Sequence, residues 1–441
     1  MRRWIIIISC SLWSLVSFAQ EKIWTLTECM QYAVKHSLKR TEQKAQNEIY
    51  KQDYKEAVGG LLPTVTADAG TEFTFGRGIN SQTNTYTNVN TFYNSFDVYS
   101  SVVLFDGFAR LSKVKLQKIN RLKGKQELQQ AEDLLAYETM ELFFNVVYYQ
   151  GTVKLAKQQL EESTANLRQQ KRMEELGLKA APDVAEMQAK EAEDEFNVTK
   201  QTNLANLEVI KLKEKMNFPI DEKLVVDDSI TEDLVDASSE DALTIFRRAV
   251  LYSPKVLASQ KGLQASEMAY RVVKGNQLPT LTLNGGASTV FSRLMNGGAF
   301  MSYRDQMHNN LGYYVALTLT VPVFDGFSHS AAVQRGKQNV IIAKSEQEET
   351  LRTVYGEIEQ AVADMNGQAE EYLQAKKKSA AMEIAHQLNQ RKYEEGLISA
   401  LELNTSANRL LQSRLEEMNA QLKYQLKHRL VEYYKGSSFE K

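Results

Sequence analysis

An internal duplication constrains this chain more than any other feature. Leu62-Pro63-Thr64 recurs as Leu278-Pro279-Thr280, a numbering offset of 216, and Ala33-Val34 before Ser37 recurs as Ala249-Val250 before Ser253 at the same offset. Phe105-Asp106-Gly107-Phe108 recurs as Phe324-Asp325-Gly326-Phe327 at an offset of 219, and Gly177 is matched by Gly396 at that second offset. The offset changes by three between residues 63 and 106, so one copy carries a slightly longer loop there. Self-similarity is read before local pattern because it sets what the fold must build twice. It divides the chain into a signal peptide at 1–19, a first repeat at 20–217, an acidic connector at 218–240, a second repeat at 241–436 and a tail at 437–441.

Each repeat is expected to run helix, β-hairpin, long helix, tip turn, helix. In the first the hairpin is 64–105, the long helix 109–176 and the last helix 183–216; in the second they are 280–323, 328–395 and 400–434. Only six prolines occur, and they fall at or near joints. Pro254 sits early in a helix, where a break after Ser253 is expected. The hairpins show the period of two that marks strands. Val65, Ala67, Ala69, Phe73 and Phe75 oppose Thr64, Thr66, Asp68 and Glu72, and Phe96, Val98, Val102 and Leu104 oppose Asp97, Tyr99 and Ser101. The second copy sets Leu281, Leu283, Ala287 and Phe291 against Thr282, Asn284 and Ser288, then Tyr313, Val315, Leu317, Leu319 and Val321 against Tyr314, Ala316, Thr318 and Thr320. The segments 77–93 and 292–310, rich in Asn and Gly, read as long polar loops.

The long helices carry a coiled-coil-like seam. Leu128, Ala131, Leu135, Leu142, Val146, Tyr149, Val153, Ala156 and Leu160 recur at steps of three, four or seven, and Val354, Ile358, Ala361, Met365, Tyr372 and Ala375 keep the same rhythm. Each long helix would measure about 100 Å at about 1.5 Å per residue. The flanking helices (26–57 with 183–216, and 241–275 with 400–434) sum to nearly the same length, as if stacked end to end beside it.

Past the N-terminus no apolar run reaches about 18 residues, which excludes a helical membrane protein but not a β-barrel. Strands of roughly 10 residues or more suffice to cross a bilayer. Four strands cannot close a barrel, and lipid does not tolerate an open sheet edge. Either the strands are soluble or several chains share one barrel; three chains would supply twelve strands. The 53 basic and 55 acidic residues leave a net charge of −2, so no strongly basic surface is offered to nucleic acid. Arg2 and Arg3, the apolar stretch Trp4 to Val16 and Ser17-Phe18-Ala19 read as an export signal cut between Ala19 and Gln20. A lipoprotein site at Cys10 is the alternative, with few apolar residues before it. Cleavage would leave Cys29 as the one cysteine, so packing rather than a disulfide must stabilise the exported chain.

Nothing resembles a catalytic or cofactor site. His36, His308, His329, His386 and His428 lack metal-ligand spacing, and no phosphate-binding Gly-Lys-Ser/Thr loop occurs. Asp106-Gly107 and Asp325-Gly326 stand where strand gives way to long helix, as a cap and a tight turn.

Taken together, the duplicated order of hairpin and helices, the Leu-Pro and Phe-Asp-Gly junctions and the Gly-centred tips resemble the TolC-type outer membrane efflux proteins along essentially the whole mature chain. The resemblance implies a mainly α fold with a pair of membrane β-hairpins, long antiparallel helical hairpins and a homotrimer closing a 12-stranded barrel over a helical tunnel. It implies an exit duct, not an enzyme, that takes no cofactor or metal. Its partners would be a periplasmic adaptor (membrane fusion) protein, an inner-membrane transporter and outer membrane lipid. A soluble periplasmic coiled-coil adaptor is the rival reading, though it leaves four amphipathic strands unexplained; a periplasmic hydrolase lacks a candidate site.

By the same resemblance, function concentrates at the tips. Glu402 falls on the carboxylate that rings the narrow periplasmic mouth in relatives, and Thr405 falls where a second acidic ring would stand, a departure that weakens any cation selectivity. Tyr393 and Asp183 match a pair that latches neighbouring tip hairpins, while Pro182 and Ile398 occupy a second latch that neither can form by side chain. Glu186 and Asn404 lie nearby. Gly177-Leu178 and Gly396-Leu397 form the turns expected to meet the adaptor. A solvated helix face accounts for Glu402 equally well. The connector, counted with its flanking residues, carries Asp221, Glu222, Asp227, Asp228, Glu232, Asp233, Asp236, Glu240 and Asp241 against Lys223, either a solvated linker or an acidic band. Tyr86, Phe92, Tyr93, Phe300 and Tyr303 would form a rim girdle or fill the barrel mouth.

Overall fold

The computed structural model describes residues 22–80, 83–229, 240–295, 297 and 301–439. The expected signal peptide, Cys10, Phe300 and the connector carboxylates Glu232, Asp233 and Asp236 lie outside the described residues. The chain is mainly helical, with one four-stranded antiparallel sheet and a two-residue parallel ladder. In order the elements are β1 (Ile23–Trp24), α1 (Leu26–His36), α2 (Leu38–Gly59), β2 (Thr64–Asn80), β3 (Thr85–Phe105), α3 (Ala109–Glu175) and α4 (Ala181–Met216). After them come β4 (Val225–Val226), α5 (Ala242–Ala249), α6 (Pro254–Gly275), β5 (Thr280–Leu294), α7 (Tyr303–Asn309), β6 (Gly312–Thr320), α8 (Ser328–Glu394) and α9 (Ala400–Lys435).

The longer helices of the two halves match in length. The helices α2 and α6 have 22 residues each, α3 and α8 have 67 each, and α4 and α9 have 36 each. Packing nevertheless divides the chain differently. One compact unit takes Met1–Leu38, Glu132–Ile245 and Ile358–Lys441; the other takes Lys39–Ala131 and Phe246–Glu357. Each unit is thus assembled from both repeats.

The second unit holds the sheet, in strand order β2-β3-β5-β6. Its hairpins are longer than the alternation of apolar residues foretold. The segment 77–93 is not a loop, because β2 pairs with β3 continuously from Thr64↔Ser101 to Asn80↔Thr85. Backbone hydrogen bonds hold a ladder whatever the side chains are, so Asn and Thr extend it without an apolar signature. In the segment 292–310, β5 runs on to Leu294 and α7 forms beyond it. Ser302 caps α7 by accepting from the Asp305 amide at 3.2 Å, and the Tyr303 ring lies 4.9 Å from that of Phe291. Gln306 stands in for a missing strand: its amide accepts from Ser292 N and donates to Ser292 O, both at 3.1 Å. The last strand ends at Thr320 rather than 323, since Pro322 has no N–H to give to a ladder.

Where the second strand of each hairpin meets its long helix, the Asp side chain caps the helix. Asp106 accepts from Arg110 N at 3.0 Å and Asp325 from His329 N at 2.6 Å. The His329 amide holds the Asp325 carboxyl below the usual carboxylate range. Both corners use two successive residues at positive φ, Gly107 and Phe108, then Gly326 and Phe327.

The expected helix 26–57 is interrupted. The break falls at Ser37, whose ψ of 130° is extended, and it mirrors the break before Pro254 in the second repeat. Thr25 and Glu28 form a reciprocal capping box at the start of α1. One core joins Cys29 and Ala33 of α1 to Phe143, Val146 and Val147 of α3, Leu212 and Met216 of α4, and Phe218, Leu224 and Val226 beyond. The ladder Ile23↔Val225, Trp24↔Val226 ties the N-terminal residues to the connector, and Trp24 packs edge-on to Tyr32 and Phe218. Asp228 of the connector pairs with Lys154 at 2.5 Å. Burial of Cys29 pushes its thiol up to about 12.

Candidate functional site

Two helical hairpins, α3–α4 and α8–α9, meet at their turns within the first unit. Both turns have one geometry. Gly177 and Gly396 adopt φ of +73° and +72°, the left-handed region that favours glycine. In the first turn Leu178 N donates to Met173 O at 2.9 Å and Gly177 N to Glu174 O at 2.8 Å; in the second Leu397 N donates to Lys392 O at 2.8 Å and Gly396 N to Tyr393 O at 3.0 Å. This pattern satisfies carbonyls that the end of a helix leaves bare, so Gly-Leu is fixed by the stop itself. Leu178 and Leu397 then project at 67% and 68% exposure. Such side chains cannot be buried by the hairpin that carries them.

Behind the turns an apolar cluster joins the hairpins: Leu167, Val184 and Met187 from one, Tyr393, Ala400 and Leu403 from the other, with Ile398 against it. Tyr393 is therefore a core residue of the tip. Its hydroxyl is buried and has no hydrogen-bond partner among the described residues. Burial pushes its pKa up to about 12, helped by the nearby carboxylates of Asp183 and Glu186. Asp183 is half-buried in the first turn of α4, which begins at Ala181 rather than 183 with Pro182 in that turn. The structure thus brings Tyr393 and Asp183 near each other without bonding them.

Glu402 and Thr405 are both exposed near the start of α9. The Glu402 amide donates to Ser399 Oγ at 3.3 Å, and the Thr405 hydroxyl donates to Leu401 O at 2.7 Å. A carboxylate in the first turn also suits the helix dipole.

Just behind this cluster lie buried polar groups that sequence reasoning missed. His386 of α8 is buried; its Nε2 lies 2.8 Å from Glu162 Oε1 of α3 and its Nδ1 3.3 Å from Ser406 Oγ of α9. Lys190 of α4 donates to Asp194 Oδ1 and to Asn408 Oδ1 of α9, both at 2.8 Å. Lys190 and Asp194 are 7% and 3% exposed, and Asp194 Oδ2 has no partner. An i,i+4 pair of opposite charge reads in sequence as a solvated helix face, and only the arrival of α9 reveals it as a link between hairpins. Among the described residues no group of His, Cys, Asp and Glu is placed to hold a metal, and no helix is long and apolar enough to cross a membrane.

Residues 246–431, most of the second repeat, match the model of the family described as outer membrane efflux protein. No curated protein sequence matches the chain. Solved structures share the fold over both repeats. The Campylobacter jejuni CmeC outer membrane channel is 16% identical with a TM-score of 0.77, over 94% of this chain and 86% of its own. The outer membrane protein VceC of Vibrio cholerae is 14% identical with a TM-score of 0.77, over 94% and 96%. The open state of the Neisseria gonorrhoeae MtrE outer membrane channel is 18% identical with a TM-score of 0.73, over 93% and 88%.

Proposed function

We propose that this protein is the outer-membrane channel of a tripartite efflux or secretion system, a passive exit duct and not a catalyst. One observation carries the reading: a four-stranded sheet with two open edges, whose last strand is exposed along its whole length with Tyr313, Val315, Leu317 and Leu319 on one face. Such a sheet is unstable alone in water and forbidden alone in lipid. Three copies close twelve strands, and an apolar outer face then meets outer membrane lipid. The family match over residues 246–431 and the shared fold support this reading.

The N-terminal residues 1–19 direct export, and the helices lie in the periplasm. The exposed Leu178 and Leu397 at the twin turns meet a periplasmic adaptor, which joins the duct to an inner-membrane transporter. Glu402 lines the mouth as a single acidic ring, with Thr405 leaving the next position uncharged. Tyr393 and Asp183 supply the latch toward a neighbouring copy, since the Tyr393 hydroxyl is unused within its own chain. Cell fractionation tests the assignment: the protein sediments with outer membranes and runs as a heat-sensitive trimer. Recovery as a soluble periplasmic monomer overturns it.

A further inference from the structure

The corner where β3 gives way to α3 borders an open cavity of about 480 Å³ whose charge is one-sided. Phe108, Leu111 and Lys115 line it from the start of α3, and Arg271, Lys274 and Leu278 from the end of α6. Arg271 and Lys274 stand three residues apart and so share a face of their helix. Three cations line the cavity and no carboxylate does. Like charges gathered in one place repel unless an anion joins them, and none of the chain's own anions does. The side chains of Lys115 and Arg271 have no hydrogen-bond or ion-pair partner among the described residues, and Lys274 stands over the Tyr270 ring, 5.8 Å from its centre. The nearby carboxylates are engaged elsewhere: Asp106 caps α3 and pairs with Arg110, and Glu56 pairs with Lys113.

The duplication supplies the comparison. Gly326 and Phe327, the repeat-mates of Gly107 and Phe108, have φ of +64° and +67° against +65° and +65°, so one backbone corner is built twice. Cations that served the corner itself would recur with it. At the repeat offsets, however, Lys115 gives way to Gln334 and Lys274 to Val58, with Lys55 in the place of Arg271. The cavity at the second corner is lined by Asp325 and His329 and by no Lys or Arg. The fold therefore does not require the three cations.

Apolar surface shares the cavity with the charge. Phe108, Leu111 and Leu278 are all exposed, so each presents carbon to whatever fills the space. A small free anion has no use for that surface, whereas an amphiphile with an anionic head matches both halves of the lining. The cavity also stands next to the sheet. Phe108 follows the end of β3 at Phe105, Leu278 precedes the start of β5 at Thr280, and the paired end Asn80↔Thr85 lies at the far end of the hairpin. For a sheet that crosses the outer membrane with its helices in the periplasm, this is the depth of the inner-leaflet headgroups.

We propose that this cavity binds the phosphate headgroup of an anionic glycerophospholipid from the periplasmic leaflet. The Arg271 guanidinium forks onto two phosphate oxygens, and Lys115 and Lys274 stand beside it as point charges. Phe108, Leu111 and Leu278 cover the first carbons of the acyl chains. The inference rests on the duct reading for where the lipid comes from, and adds a residue-level site at which charge selects that lipid. A bound headgroup would also fix the depth at which the corner sits.

Native mass spectrometry of the full-length chain in a non-ionic detergent tests the site. Dioleoyl phosphatidylglycerol, dioleoyl phosphatidylcholine and inorganic phosphate are titrated separately. The expected result is retention of phosphatidylglycerol, with phosphatidylcholine several-fold weaker and inorganic phosphate weaker again. A cation beside an anionic headgroup is worth about five-fold in binding. Arg271→Gln should therefore weaken phosphatidylglycerol about five-fold, and the triple variant Lys115→Gln, Arg271→Gln, Lys274→Gln roughly a hundred-fold. All three side chains are exposed, so helicity by circular dichroism should hold. Lys55→Gln, which removes a cation outside the cavity, should leave retention unchanged. Phosphatidylcholine bound as tightly as phosphatidylglycerol, inorganic phosphate bound as tightly as either, or parental retention by the triple variant overturns the proposal. Outer-membrane trimers that show no preference for phosphatidylglycerol would remove the site and leave the duct reading standing. A soluble periplasmic monomer that retains phosphatidylglycerol through these cations would do the reverse.

Discussion

Gly107→Ala and Gly396→Ala place the same side chain on nearly the same backbone, yet the structure predicts very different costs. The φ values are +65° and +72°, so each substitution carries the left-handed penalty of about 1–2 kcal/mol for an L-residue. At Gly396 nothing lies within 4 Å of the new methyl, and the cost stops there. At Gly107 the methyl meets the Gly275 carbonyl oxygen and Leu278. One of these is backbone, so the helix end must move, and overpacking adds roughly 1–3 kcal/mol. The total at Gly107 is about 2–5 kcal/mol against about 1–2 kcal/mol at Gly396. Thermal unfolding of the detergent-extracted protein, followed by circular dichroism, reads the difference. Gly107→Ala should lower the Tm by about 2–5 °C and Gly396→Ala by about 1–2 °C. Equal shifts would refute the close packing of this corner against the helix end at Gly275–Leu278, because backbone strain alone would then explain both.

Other sites give equally definite expectations. Lys190→Met leaves the Asp194 carboxylate buried and unpaired and should destabilise by roughly 3–5 kcal/mol, while adding Asp194→Leu recovers most of the loss; urea unfolding of the two variants checks both. Leu403→Ala, at a position only 1% exposed in the tip cluster, should cost about 2–5 kcal/mol in the same assay. Tyr393→Phe removes a hydroxyl that bonds nothing among the described residues of its own chain, so stability should hold; conductance in a planar bilayer should rise, and no rise counts against the latch. Cys29 has its thiol raised from 9.0 to about 12, so the unfolded chain loses that proton first. Stability from this group is complete below about pH 9 and falls as pH rises toward 12, and a thiol reagent should label Cys29 only after unfolding.

Much of this architecture was legible because the chain states it twice. Leu-Pro-Thr and Phe-Asp-Gly-Phe located the hairpins and the starts of both long helices, and a helix stop that requires glycine located both tips. What escaped had weak local signals or depended on distant partners. The interruption at Ser37 carries no proline, yet its repeat-mate Ser253 precedes one, and the repeat offset was sufficient to find it. The upper parts of β2 and β3 are held by backbone pairing among Asn and Thr, which hydrophobic alternation does not detect. The helix α7 was announced by Ser302 and Asp305 inside what read as loop. His386 and Lys190 looked like scattered polar residues because their partners, Glu162 of α3 and Asn408 of α9, come from the opposite repeat and meet them only in the folded tip. Glu402 and Asp183, proposed for the mouth, sit in first turns, where capping and the helix dipole already favour a carboxylate, so residue type alone does not separate the two roles.

Single-channel recording of the purified, full-length protein in a planar lipid bilayer tests the central claim most directly. The account predicts discrete conductance steps from the trimer, lost when it is dissociated by heat before addition. Trimers that insert yet carry no current, or protein that never leaves the aqueous phase, would contradict it.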